Sequence, residues 1–100
     1  MSKFNFDKEA EWPGLAKVLE EMQELGIELS KIVMLDGGTK HWKGDVRPLM
    51  IDELADVLAS VNWFVEHNLT NAEQCQMEIR QAVKMGKYDR WYQDGDEPPS

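Results

Sequence analysis

The sequence contains one cysteine, Cys75, and only two histidines, His41 and His67. A single cysteine cannot form a disulfide within the chain, so we expect a reducing, cytoplasmic environment. Neither histidine has a cysteine or a second histidine at the spacing of a zinc site. No histidine or asparagine pattern around Cys75 indicates a thiol nucleophile. The composition therefore argues against a zinc protein and against a cysteine enzyme.

Long apolar runs are also missing from the sequence. No segment approaches the length of a membrane span, and the first residues, MSKFNFDKEAEW, do not resemble a signal peptide. We therefore expect a protein that does not associate with a membrane.

Positive charge is scarce, because 11 lysines and arginines stand against 19 acidic residues and the net charge is −8. Binding to a DNA or RNA backbone needs a basic face, so we expect no nucleic-acid polymer as a partner. Small phosphorylated ligands are not excluded, since a bound divalent cation can reverse the local field.

Hydrophobic residues make up 42% of the 100 residues, which suffices for one small domain. Their spacing predicts an all-α fold of three main helices, and no segment alternates as a strand would. The first helix is predicted from Pro13 to Leu35 and the second from Pro48 to Asn68, with a glycine-containing loop between them. The β-branched stretch KIVML is assigned to the first helix, because the apolar rhythm continues through it.

The third helix is predicted to open at TNAE, where Thr70 and Glu73 have the spacing of a capping box. We expect it to fade around KMGKYDRWYQ. Its predicted buried residues are Ala72, Cys75, Ile79, Ala82 and Val83. Residues 1–93 are then one domain, and residues 94–100 are a disordered acidic and proline-containing tail.

The first two helices each carry one apolar stripe at helical spacing. The stripe of the first is Leu15, Val18, Leu19, Met22, Leu25, Leu29, Ile32 and Val33, and that of the second is Ile51, Leu54, Val57, Leu58, Val61 and Val65. We expect the two stripes to pack against each other.

Two pairs of carboxylates lie at the edges of these stripes. Glu21 and Glu24 are three residues apart on the first helix, and Glu53 and Asp56 are three apart on the second. This spacing puts each pair on one helix face, so packing of the stripes would bring four carboxylates to one seam. Such a cluster is repulsive unless a hard divalent cation binds it. The alternative is that both pairs are ordinary solvated helix surface.

The stretches LEEMQEL and DELADVL together fit the pattern E-x-x-E, a gap, then E-x-x-D, and KMGKYDRW follows as a basic segment. In these features the sequence resembles the all-α nucleotide pyrophosphohydrolases, the MazG-like and dimeric dUTPase superfamily, over residues 15 to 92. Glu21 and Glu24 match the first pair of the motif, and Glu53 and Asp56 match the second.

The resemblance implies a Mg²⁺-dependent hydrolase, with Mn²⁺ as an alternative cofactor. Members of the family cleave a nucleoside triphosphate to the monophosphate and pyrophosphate, and a dNTP is the expected substrate here. The four carboxylates would be both metal ligands and catalytic residues. The protein would contribute positioning and charge neutralisation rather than a covalent step.

Further residues are candidates for substrate binding. Basic residues would meet the phosphate oxygens, and aromatic residues could cover a base. The candidates are Lys84, Lys87 and Arg90 in the third helix, Lys43 and Trp42 in the loop, and Trp63 in the second helix. The basic residues could equally be plain surface charges. Trp63 lies opposite the apolar stripe, where burial by another subunit is an alternative to base stacking.

A core of only three helices and an aromatic residue on a polar face favour self-association, as a homodimer or homotetramer forming a helical bundle. A rival function is open at this point. The chain could be a non-catalytic acidic helical binding protein, either a degenerate family member or a phage-type inhibitor that mimics nucleic acid. A decoy needs acid spread over its surface, whereas a metal enzyme needs acid focused at one place.

Overall fold

The structure, a computed structural model, describes residues 11–34 and 47–95. It contains three α-helices, α1 at Leu15–Met34, α2 at Arg47–Asn68 and α3 at Asn71–Asp94. No strand occurs within the described residues, and the predicted all-α fold is confirmed. The KIVML stretch is helical as far as Met34, whereas Leu35 lies outside the described residues.

The start of α1 is set by Gly14. Its φ is 91°, in the left-handed region that favours glycine. A residue in this conformation cannot belong to a right-handed helix, so α1 begins at Leu15 and the predicted start at Pro13 is wrong by two residues. The Leu15 N–H donates to the Trp12 carbonyl oxygen at 3.2 Å, which closes the turn before the helix.

The described residues fall into two units that divide after Asn68. The first unit contains α1 and α2, which pack against each other. The Asn68 side-chain amide donates to the Pro13 carbonyl oxygen at 2.8 Å and to the Phe64 carbonyl oxygen at 2.9 Å. Because Pro13 precedes α1 and Asn68 ends α2, the two helices run antiparallel.

The predicted apolar stripes are only partly covered by the α1–α2 contact. Val65 is buried at 8% exposure, and the half-buried stripe residues are Val18, Leu25, Leu29, Ile32, Val57 and Val61. The rest are exposed: Leu15, Leu19, Met22, Val33, Ile51, Leu54 and Leu58. The two stripes therefore pack against each other only in part. A stripe of this width spans more of the helix surface than one neighbouring helix covers.

The second unit contains α3, which begins with the predicted capping box. Thr70 Oγ1 accepts from the Glu73 N–H at 3.1 Å, and Glu73 Oε1 accepts from the Thr70 N–H at 2.9 Å. The sequence predicted that the helix fades around KMGKYDRWYQ, and this prediction is wrong. The helix continues to Asp94 and ends at Gly95, whose φ is 70°. Regular i to i−4 bonding tolerates the single glycine in this stretch, at Gly86.

The burial predicted for α3 is wrong. Its apolar residues are all exposed: Ala72, Cys75, Ile79, Ala82 and Val83. The physical reason is that α3 is the one helix of its unit, so no second helix of that unit covers any of its faces. The division into a domain of residues 1–93 and a tail stays a prediction, with residues 96–100 outside the described part of the chain.

None of the three helices is both long enough and apolar enough to cross a lipid bilayer, as judged over residues 11–34 and 47–95.

Candidate metal centre

Three carboxylates converge where α1 faces α2. Glu21 and Glu24 come from α1 and Glu53 comes from α2, and each offers an oxygen within 4.8 Å of the others. The i, i+3 spacing on α1 puts Glu21 and Glu24 on one face, and the antiparallel packing brings Glu53 opposite them. Three of the four carboxylates predicted to meet therefore do so.

Burial makes this cluster unlike a solvated helix surface. Glu21 is 7% exposed, Glu53 is half-buried, and Glu24 is exposed. The Oε2 atoms of Glu21 and Glu53 are both buried and accept no hydrogen bond from any residue that the structure describes. A buried carboxylate oxygen without a hydrogen-bond donor destabilises the folded state, so a cation or a proton bound at either atom would stabilise it.

The raised pKa of Glu53 also indicates an excess of negative charge at the cluster. Burial raises the pKa of the Glu53 carboxyl above its ordinary value of 4.5, and the carboxylates of Glu24, Asp56, Glu21 and Glu28 raise it further, in that order. Negative charge is therefore concentrated at this point of α2. A divalent cation at the cluster would relieve both contributions.

Lys17 partly neutralises the cluster from within α1. Its Nζ lies 3.0 Å from Glu20 Oε1 and 3.1 Å from Glu21 Oε1. These two hydrogen bonds raise the pKa of the Lys17 ammonium above 10.5. Lys17 contacts Oε1 of Glu21, so the unsatisfied Oε2 of the same carboxylate is left for another partner.

Asp56, the fourth predicted ligand, lies in the wall of an adjoining cavity rather than in the three-carboxylate group. The cavity has a volume of about 360 Å³ and is lined by Lys17, Glu21, Asp56, Ala59, Ser60 and Trp63. Asp56, Ser60 and Trp63 line it together because spacings of four and three residues keep them on one face of α2. This volume is at the lower end of the range for small-molecule sites.

Trp63 is half-buried in the cavity wall and stacks on His67. The two ring centroids are 3.7 Å apart and the planes differ by 14°. His67 Nδ1 lies 2.8 Å from the Trp63 carbonyl oxygen, to which it donates in the tautomer protonated at Nδ1. One face of the indole is thus taken by an imidazole, and base stacking and subunit burial both stay predictions for the rest of the ring.

The other predicted substrate contacts do not belong to this unit or are not described. Lys84, Lys87 and Arg90 lie on α3, where Lys84 Nζ is 6.0 Å from the centre of the Tyr88 ring. Trp42 and Lys43 lie outside the described residues. The role of all five in substrate binding stays a prediction.

Sequence reasoning placed Ser60 on the helix face of Asp56 and Trp63 but selected neither Ser60 nor Lys17 as a site residue. Lys17 stands four residues before Glu21, a spacing that predicts an ion pair on one helix face, and this signal was available. Ser60 stands four residues after Asp56 on the same face. Its hydroxyl donates to the Val57 carbonyl oxygen at 2.7 Å, as helical serines often do, and its place in the cavity wall follows only from the packing of α1.

Comparison with known proteins finds no family model, no curated protein and no solved structure that matches this chain.

Proposed function

We propose that the α1–α2 pair binds a divalent cation, Mg²⁺ or Mn²⁺, and that the protein hydrolyses a deoxynucleoside triphosphate to the monophosphate and pyrophosphate. The observation that carries the proposal is the meeting of Glu21, Glu24 and Glu53 from two helices, with two buried oxygens left without a donor. A metal-dependent enzyme needs carboxylates that converge at one point in this way. The resemblance of LEEMQEL and DELADVL to the MazG-like motif supplies the reaction class.

The donor set fits a hard cation. Carboxylate oxygens are the ligands that Mg²⁺ and Mn²⁺ prefer, and the cluster contains no sulfur or imidazole donor. Glu21, Glu24 and Glu53 would hold the ion. Bound there, it would supply positive charge that neutralises phosphate oxygens and promotes the loss of a proton from water.

The residues of the chain itself account for the rest of the reaction. Water adds to phosphorus at the α–β anhydride, the bond to the bridging oxygen breaks, and pyrophosphate leaves. We assign Asp56 to orienting this water, because it lines the same cavity as Glu21. Trp63 is assigned to the base, and the basic residues of α3 are assigned to the outer phosphates by the resemblance alone.

The proposal includes assembly as a homodimer or homotetramer. Three exposed apolar residues of α1 follow spacings of four and three, at Leu15, Leu19 and Met22. Three of α2 follow spacings of three and four, at Ile51, Leu54 and Leu58. On α1 they lie about 100° around from the half-buried Leu25 and Ile32. On α2 they lie on the same face as the buried Val65, nearer the start of the helix. A second copy of the same pair would cover both faces at once, as in a four-helix bundle.

A screen of nucleoside triphosphates tests the function. Each triphosphate is incubated with the protein and Mg²⁺, Mn²⁺ or a chelator, and pyrophosphate and orthophosphate are measured separately. We expect pyrophosphate without orthophosphate for at least one dNTP, only with metal, and a melting temperature that rises with Mg²⁺ because the ion binds the folded state.

The other outcomes separate the alternatives. A rise in melting temperature without turnover would support the non-catalytic binding protein. Neither a rise nor turnover would mean that the carboxylates bind no cation and that the proposal is wrong.

A further inference from the structure

Lys17 contacts the carboxylate cluster and also lines the cavity. Its ammonium contacts Glu21 at 3.1 Å, and its side chain lines the same 360 Å³ cavity as Asp56 and Trp63. The side chain is 28% exposed, so it is neither locked in the seam nor free in solvent. The acidic motif consists of carboxylates, so it does not explain why the ammonium group of Lys17 lies here.

We infer that Lys17 couples metal binding to triphosphate binding: it weakens the binding of a free divalent cation by holding Glu21, and it binds phosphate oxygens once a triphosphate enters the cavity. The inference rests on the proposed function, because it needs the metal and the triphosphate to share this site.

The first half follows from the charge on Glu21. A divalent cation at the cluster has to share the Glu21 carboxylate with an ammonium 3.1 Å from its Oε1. The two positive charges repel, and the ammonium has already satisfied part of the demand of that carboxylate. The free ion is therefore bound less tightly than the three converging carboxylates alone would bind it.

The second half follows from the cavity lining. Glu21 and Asp56 are negative, and Ala59, Ser60 and Trp63 are uncharged, so Lys17 has the one positive charge among the described residues of the wall. A lysine ammonium is a compact charge on a flexible stem, which can turn from a carboxylate to a phosphate a few ångströms away. Phosphate oxygens offer stronger, charge-assisted acceptors in exchange for Glu21.

The two effects combine into a regulated site. A triphosphate that draws Lys17 away releases Glu21 for the ion, and an ion on Glu21 releases Lys17 for the triphosphate. Coupling of this kind is reciprocal, so each ligand raises the affinity for the other by the same factor. At a given metal concentration the site would hold less metal without the nucleotide than with it.

The test measures binding rather than turnover. The affinity for Mn²⁺ alone is read from the electron paramagnetic resonance signal of free Mn²⁺, and the affinity for inorganic tripolyphosphate is read by calorimetry with Mn²⁺ present. We expect Lys17→Met to bind Mn²⁺ alone about fivefold more tightly than the wild type and to bind tripolyphosphate about fivefold more weakly. The opposite directions are the signature of the coupling.

Two further variants serve as controls. Lys31→Met breaks another ion pair of α1, between Lys31 and Glu28 at 3.2 Å, outside the cavity lining, and should not show the two opposite shifts. Lys17→Arg keeps the charge and should keep the wild-type affinity for Mn²⁺ alone. Helical content measured by circular dichroism shows that each variant is folded.

The outcomes separate the inference from the function on which it rests. If the wild type binds Mn²⁺ and Lys17→Met binds both ligands as the wild type does, or shifts both in one direction, the coupling is wrong and the metal site stands. If the wild type binds no Mn²⁺, the proposed function and the coupling both fall.

Discussion

At Glu53, one carboxylate of α2 meets two of α1, and its buried Oε2 lacks a hydrogen-bond donor among the described residues. Replacing Glu53 with Gln keeps the size of the side chain and removes one negative charge. If Glu53 holds the ion, we expect pyrophosphate release to fall a hundredfold or more. The melting temperature of the metal-free protein should rise, because less negative charge is confined, and its increase with Mg²⁺ should be lost.

Glu66→Gln is the matched control for Glu53→Gln. Glu66 is exposed on the same helix and belongs to no carboxylate cluster among the described residues. A solvated change of this kind alters stability by less than about 0.5 kcal/mol and leaves activity unchanged. Equal behaviour of the two variants would show that Glu53 does not hold an ion.

The raised pKa of Glu53 gives the metal-free protein a distinct response to pH. Below the ordinary value of 4.5 the carboxyl is protonated in both the folded and the unfolded chain. Between 4.5 and the raised folded pKa, the folded state keeps a proton that the unfolded state has released, so stability falls as pH rises through this window. Above the window the folded state confines a full negative charge beside Glu24, Asp56, Glu21 and Glu28.

Melting curves of the wild type and Glu53→Gln across this range check the sign. The two proteins should melt at similar temperatures at the acid end, and the variant should become the more stable one as pH rises. Mg²⁺ should restore the wild type at the upper end. A difference that does not change with pH would contradict the raised pKa.

Residue spacing was enough to predict that Glu21, Glu24 and Glu53 meet. Residues at i and i+3 share one helix face, and these pairs lie at the edges of the stripes along which the two helices pack. The spacing was not enough to separate Asp56 from these three. Glu53 and Asp56 lie only about 60° apart around the helix, and only the register of α1 decides which one faces the cluster and which one faces the cavity. The burial of Glu21 could not be predicted either, because its position at the edge of the stripe does not determine how closely the neighbouring helix approaches.

At the scale of the elements, the ends of the helices were more predictable than their environment. The capping box at Thr70 is a local pattern and forms as predicted. Gly14, by contrast, delays α1 by a conformation that the pattern Pro-Gly did not reveal. The apolar spacing of α3 correctly indicates a helix with an apolar side. It does not say what covers that side, and the helix is exposed in the chain described here.

Gly86 offers a test of α3 as an element. A Cβ at this position would meet nothing within 4 Å among the described residues, and glycine in a helix interior costs about 1 kcal/mol relative to alanine. Gly86→Ala should therefore stabilise α3. Hydrogen exchange should show about fivefold greater protection of its central amides, with α1 and α2 amides as the internal control. Reduced protection would indicate that another chain approaches the backbone at Gly86.

At the scale of the whole molecule, the two sides of the α1–α2 pair differ in chemistry. On one side of the seam lie the converging carboxylates and the cavity. On the other, the apolar side, lie five of the exposed apolar residues: Leu15, Leu19, Met22, Leu54 and Leu58. The helical angles of the two sets place them in opposite directions from the seam. An acidic side with a focused cluster suits an ion and its ligand, and an exposed apolar side suits a protein partner.

The apolar side leads to a prediction about mass. Leu19 is 58% exposed on this side of α1, and a second copy of the pair would bury it. Light scattering at micromolar concentration should give a mass of at least about twice the 11.6 kDa of one chain. Leu19→Glu would place a charge in the interface, so it should reduce the mass towards 11.6 kDa.

Ile27→Glu is the matched control and should leave the mass unchanged. Ile27 is 59% exposed on the same helix but lies about 100° away from the apolar side. A wild type that is monomeric at these concentrations, or a control that dissociates as readily as Leu19→Glu, would mean that the apolar side is not where two copies meet.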